Sequence, residues 1–202
     1  MVPVNPDLGD MFMLRFLLAA AAPAALFAAP ASAELIEELR LGVVAHDVVD
    51  HAEAGPQIAV EALFASPDFL SIIGSPRPYL YGSFNTQGYT NLGAAGLNWT
   101  WAPGDGPFSV EGAFGISYND GVIDVVDLPP DDPYRIETAA TRALLGSKWL
   151  FHSRLGADYA LTERWAVGVY YEHFSHGQIL ASGRNQALDE VGVRLGYRFA
   201  WD

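Results

Sequence analysis

From Glu38 onward the chain is written in twos. Leu39, Leu41, Val43 and Ala45 alternate with Glu38, Arg40, Gly42 and Val44, and Ile58, Val60, Ala62 and Phe64 alternate with Ala59, Glu61 and Leu63. The same period returns in Leu97, Trp99 and Trp101, in Phe108, Val110, Phe114, Ile116 and Tyr118, and in Phe151, Ser153, Leu155, Ala157, Tyr159 and Leu161. Residues 77–85 are aromatic-rich with a less regular register. Two further segments, Trp165 to Ser175 and Asp189 to Phe199, alternate throughout, which makes eight predicted strands and almost no helical periodicity. In the last two, His173 and Ser175 share a parity with Trp165, Val167, Val169 and Tyr171, and Asp189 shares one with Val191, Val193, Leu195, Tyr197 and Phe199. Alternation therefore predicts a base, a hydroxyl and an acid on one apolar face, beside the loop joining the two strands. That combination is the ordinary machinery of nucleophilic acyl transfer.

An all-β chain with eight alternating segments fits a closed antiparallel barrel, and periodicity alone does not say which face is inside. Three features assign the apolar face to lipid. The other parity carries Arg40, Glu61, Glu111, Arg154, Asp158, Glu172, Arg194 and Arg198, a mixture of signs suited to a small lumen in which each charge finds a partner. Tyr and Trp gather toward segment ends, as in the aromatic girdles of outer-membrane barrels. The connections also alternate in kind, with the longest, 119–143, on the side predicted to face outward. The segment SPDFLSIIGSPRP is long for a turn on the inner side. The fold expected is thus an eight-stranded antiparallel outer-membrane β-barrel. Its rivals are a barrel of the same kind without enzymatic activity, serving a structural or adhesive role, and a soluble lipocalin-like binder with its faces reversed.

The N-terminal segment bears on location. After the acidic MVPVNPDLGD, the run MLRFLLAAAAPAALFAAPASA has one Arg, an apolar stretch and a closing Ala31-Ser32-Ala33. This pattern predicts an N-terminal extension and signal peptide over 1–33, cleaved after Ala33, and a barrel domain over 34–202. With no Cys, the exported chain is expected to hold together without disulfides. A formal net charge of −13 sets nucleic acid aside as a partner, since phosphate binding needs the opposite sign. His46, Asp47, Asp50 and His51 are few and sit at a strand end, and the acidic residues of 119–143 read as a solvated loop, so no metal site is expected.

The segments YEHFSHG and NQALDEVGVRLGYRF resemble the C-terminal third of the PagL-type lipid A 3-O-deacylases, the acyloxyacyl hydrolase family. RLGVVAHDV and SPRPYLYGSFNTQGYT resemble earlier parts of the same family. The resemblance implies an outer-membrane barrel that hydrolyses the 3-position ester of lipid A within lipopolysaccharide and releases a 3-hydroxy fatty acid. It also implies His173 as general base, Ser175 as nucleophile and Asp189 as orienting acid. The family more typically carries Glu in the third role, and Glu190 is adjacent; parity favours Asp189, because Glu190 shares the inward face with Gly192 and Arg194, and a bulge would reverse that choice. The oxyanion formed on attack needs preorganised donors, for which Asn185 and the backbone N–H of Gly177 are the candidates. Where the family often has Asn directly after the Ser, this chain has His176. The mechanism calls for no cofactor. Its partners are lipopolysaccharide and the surrounding outer-membrane lipid, and the pattern sets no oligomeric state.

Overall fold

The computed structural model describes residues 36–199. The predicted signal peptide lies outside the described residues. Eight strands, β1 (Ile36–Ala45), β2 (Pro56–Phe64), β3 (Arg77–Asn85), β4 (Leu92–Trp101), β5 (Phe108–Asn119), β6 (Trp149–Ala160), β7 (Trp165–Ser175) and β8 (Leu188–Arg198), pair in sequence order. All neighbours are antiparallel, and β8 returns to β1, with Leu41 opposite Leu195, so the barrel is closed. Closure pairs the backbone without leaving a sheet edge, the condition for crossing lipid with strands. Among the described residues no helix is long and apolar enough to cross a membrane.

The faces are those expected of a membrane barrel. Leu41, Val43, Phe114, Leu155, Val169 and Val193 point outward and are half or more exposed. The charged parity is buried in the lumen. Arg40 bonds Glu38 at 2.7 Å, Glu61 at 3.1 Å and Glu111 at 2.8 Å, while Arg194 bonds Glu111 at 2.7 Å and chelates Asp158. Arg154 bonds Glu61, comes within 3.0 Å of Glu111 and reaches Glu172 at 3.3 Å. Glu172 also accepts from Tyr81 and meets His152, whose other nitrogen lies 2.7 Å from the Tyr79 hydroxyl. This interior excludes the soluble lipocalin-like alternative, in which the apolar face would line the cavity. Gly192 makes room for one of its members, since a Cβ there would come within 2.3 Å of the Tyr170 ring.

Three local features depart from the sequence expectation. β4 starts at Leu92, earlier than its apolar alternation, because Gly93 and Ala95 occupy the lipid-facing positions and Leu92 faces inward. Within 119–148 a helix, α1 (Pro133–Thr141), breaks the expected irregular loop; Asp132 caps it by accepting from the N–H groups of Tyr134 and Arg135, and Pro133 supplies the first helical position. The long turn between β2 and β3 winds into a 3-10 segment, Asp68–Ile73, ended by Gly74 in the left-handed region, and the Trp99 indole N–H donates to the Ile73 carbonyl.

Candidate active site

β7 ends and β8 begins at the rim opposite Ile36 and Arg198. Their register sets His173 directly across from Asp189, and Tyr171 across from Val191. His173, Ser175 and Asp189 all project to the lipid-facing side. His173 Nδ1 is 2.8 Å from Asp189 Oδ1, and its Nε2 is 3.0 Å from Ser175 Oγ. A carboxylate on Nδ1 fixes the tautomer with hydrogen there, which leaves Nε2 free to accept the serine proton. The His173 side chain is 39% exposed and Asp189 12%, so the base is open to a substrate while the acid is covered. The cover includes Tyr171, whose hydroxyl donates to the same Asp189 Oδ1. Sequence alternation put Tyr171 on this face without indicating that contact.

Glu190 is elsewhere. It faces the lumen, and its Oε1 lies 2.6 Å from His46 Nδ1. His46 Nε2 in turn meets Glu53 at 2.9 Å, and Glu53 accepts from Arg142, from the Ala143 N–H and from both the N–H and the hydroxyl of Thr90. Asp47 accepts from the N–H groups of Ala52 and Glu53, and the Val48 N–H donates to the Asp189 carbonyl. Residues read from sequence as a strand end and a loop are therefore a buried clasp joining three rim loops to β8. Among the described residues no cluster suited to a metal ion forms.

The His46–Glu53 pair of the clasp is ionic across the neutral range. Burial pushes the His46 imidazole down, but its hydrogen bonds to Glu190 and Glu53 and their charges outweigh burial and raise it to about 9. Burial likewise pushes Glu53 up, and the bonds from His46, Arg142 and Thr90 outweigh it and lower the carboxyl to about 2. A folded-state value raised above the ordinary 6.5 gives stability that is complete below 6.5 and is lost as pH rises through about 9. The thermal midpoint of the detergent-folded barrel is therefore expected to fall between about pH 6.5 and pH 9, and His46→Gln to flatten that decline. An equal decline in the variant would assign it to other groups.

The candidate oxyanion donors lie in the loop 176–187. Asn185 Oδ1 accepts the N–H of His176, the peptide next to Ser175, at 3.2 Å. That N–H is thus engaged, and the Asn185 Nδ2 hydrogens remain as donors. Gly177 follows with a φ of 61°. His176 turns into the loop, where its Nδ1 accepts from the Gln178 N–H and its Nε2–H donates to the Arg184 carbonyl, a neutral tautomer that rivets the loop. Gly146, at a φ of 71°, sits against this rivet: a Cβ there would lie 1.8 Å from the Arg184 oxygen.

A furrow of about 370 Å³ descends the lipid face from beside His173, between Trp99, Trp101, Phe114, Leu155 and Tyr171, with Gly112 and Ser153 at its floor. Its direction follows from the barrel's stagger. Pairings from Arg40 through Glu61, Tyr81, Ala94, Ser117 and Leu150, with the β7 and β8 registers continued, return to β1 about ten residues nearer the rim that bears His173. A shear of that size in eight strands inclines them by about 40° to the axis. The line Ser153–Gly112–Trp101 moves one strand over and two residues down at each step, opposite to that inclination, and so runs nearly parallel to the barrel axis over about 15 Å.

Against known proteins, the family model described as lipid A 3-O-deacylase (PagL) matches residues 71–198. No match to a curated protein sequence is found. Among solved structures, the outer membrane enzyme PagL aligns with a TM-score of 0.54 at 12% identity, covering 80% of this chain and 99% of that one. Neisserial surface protein A aligns with a TM-score of 0.51 at 12% identity, covering 80% and 96%. Identities this low speak for the eight-stranded fold alone; the family match adds kinship, since it runs from the turn before β3 to the end of β8 and spans both strands of the His173–Ser175–Asp189 array. On that match the chain belongs to the lipid A 3-O-deacylase (PagL) family.

Proposed function

We propose that this protein is an outer-membrane serine esterase that hydrolyses the 3-O-acyl ester of lipid A and releases a 3-hydroxy fatty acid. The observation that carries this reading is the hydrogen-bonded order Asp189–His173–Ser175 on the lipid-facing surface at one rim. The barrel reaches the membrane after export, with the leader ending at Ala33 removed. The rim bearing the array faces outward, so the ester linking an acyl chain to the lipid A sugar meets Ser175 at the boundary of the outer leaflet.

Ser175 Oγ attacks the ester carbonyl as His173 Nε2 takes its proton, and Asp189 holds the resulting imidazolium. The oxyanion is received by Asn185 Nδ2 and the Gly177 N–H. Collapse expels the sugar oxygen, to which His173 returns the proton. Water, deprotonated by His173, then attacks the acyl-serine, and collapse releases the fatty acid and restores Ser175. Throughout, the acyl chain lies in the axial furrow, in line with the surrounding lipid.

The furrow gives a length test. A Cβ at Gly112 would touch the Trp101 ring at 3.5 Å and Leu155 at 3.8 Å, ordinary contacts that the barrel accepts. The ring of a Gly112→Phe variant would fill the floor. It is expected to lower kcat/KM at least about tenfold for a long 3-O-acyl chain and to spare a short one, measured on monosaccharide lipid A analogues. Equal losses on both would remove the furrow from the reading.

A further inference from the structure

We infer that Tyr171 is a positioning residue of this active site, holding the Asp189 carboxylate in place through a hydrogen bond from a neutral group. The inference rests on the esterase reading above and deepens it. Of the carboxylates of β1 to β8 that are withdrawn from solvent, Asp189 and Glu190 are the two that meet a histidine and no arginine, and Glu190 does so in the lumen. In the lumen, Glu38, Glu61, Glu111, Asp158 and Glu172 each face an arginine. Asp189 lies on the lipid-facing side, and among the described residues its ion-pair partner is His173 alone.

A carboxylate removed from water with one hydrogen-bond donor is left free to rotate about its Cβ–Cγ bond and is short of partners. Tyr171 supplies the second donor. It stands two residues before His173 on the same face of β7, opposite Val191, and its hydroxyl reaches diagonally to Asp189 Oδ1, the oxygen that also takes the His173 Nδ1 hydrogen. A phenol suits this position better than an arginine would. A cation there would repel the imidazolium that forms during attack, whereas a neutral donor fixes the carboxylate and leaves its charge to His173. The ring of Tyr171 also walls the furrow, so substrate packed there would further seal the bond from water.

The test is a kinetic cycle on the purified full-length barrel with lipopolysaccharide in detergent, following 3-hydroxy fatty acid release by mass spectrometry under single-turnover and saturating conditions. Tyr171→Phe keeps the furrow wall and removes the donor, and is expected to lower kcat about tenfold with KM unchanged. In an Asp189→Asn background the same substitution is expected to cost less than about twofold, because the partner it acts through is altered. Equal losses in both backgrounds, a change confined to KM, or no change would overturn the assignment. Asp189→Asn with full activity would instead overturn the triad reading on which it rests. Heat-modifiable mobility reports folding of each variant. Should Tyr171→Phe not fold, Tyr171→Leu at matched amounts of folded barrel gives the same comparison of backgrounds.

Discussion

Ser175→Ala is expected to leave lipid A fully acylated in cells whose outer membrane contains the variant, and the parent is expected to remove one 3-hydroxyacyl group. Loss of a serine nucleophile typically costs about 10⁴- to 10⁶-fold in kcat, because attack, proton transfer and the acyl intermediate disappear together. The fold should be spared. Ser175 is half-buried at the end of β7, and its side-chain hydrogen bond is to His173, so its removal costs about 1 kcal/mol or less. Mass spectrometry of lipid A at equal membrane abundance of parent and variant reads the outcome. His173→Ala should match Ser175→Ala, whereas Glu190→Gln should retain deacylation, since Glu190 faces the lumen and bonds His46 beside it. Deacylation by the Ser175 variant would refute the nucleophile.

Arg154→Leu is expected to have the largest effect on stability. Arg154 is buried and stands among Glu61, Glu111 and Glu172, with Glu61 and Glu111 also drawn on by Arg40. Removing one partner of a buried ionic set leaves the others without compensation and costs about 3 to 5 kcal/mol, more than the set as a whole contributes against an apolar substitute. Urea unfolding in detergent should show a lowered midpoint. Replacing Glu172 as well, as Arg154→Leu with Glu172→Gln, should recover part of the loss, because one uncompensated charge goes with it. A midpoint equal to the parent's would mean that water enters the lumen freely and screens these charges. The consequence reaches the active site, since β6 and β7 carry Arg154 and Glu172 as a cross-strand pair, one step from the pair Ser153 and His173.

These two expectations draw on different kinds of information. Ser175 was legible in the chain. Strand alternation is a local rule, and it put His173, Ser175 and Asp189 on one face and Glu190 on the other before any fold was known. Arg154 was legible as an inward charge, but not as the neighbour of Glu61 and Glu111. Those partners are 93 and 43 positions away along the chain; the β5–β6 register sets Glu111 beside Arg154, and only the closed barrel brings Glu61 across to it. Where the local rule weakened, so did the reading. Gly93 and Ala95 carry too little apolar signal to mark the start of β4, and the Asp132-Pro133 cap of α1 was submerged in an acidic loop.

The amino-acid sequence by itself determined the number of strands and the parity of the candidate nucleophile, base and acid, because side-chain direction in a strand depends on nothing beyond its neighbours, and the mixed charges on the other parity marked which side faces lipid. Only the tertiary structure decided the register that sets Asp189 across from His173, the reach of Tyr171 to the same carboxylate, the clasp of His46 with Glu190 and Glu53, and the axial course of the furrow. Each of these joins residues on different strands or loops, and the free energy that selects such pairings is that of closing and packing the whole barrel.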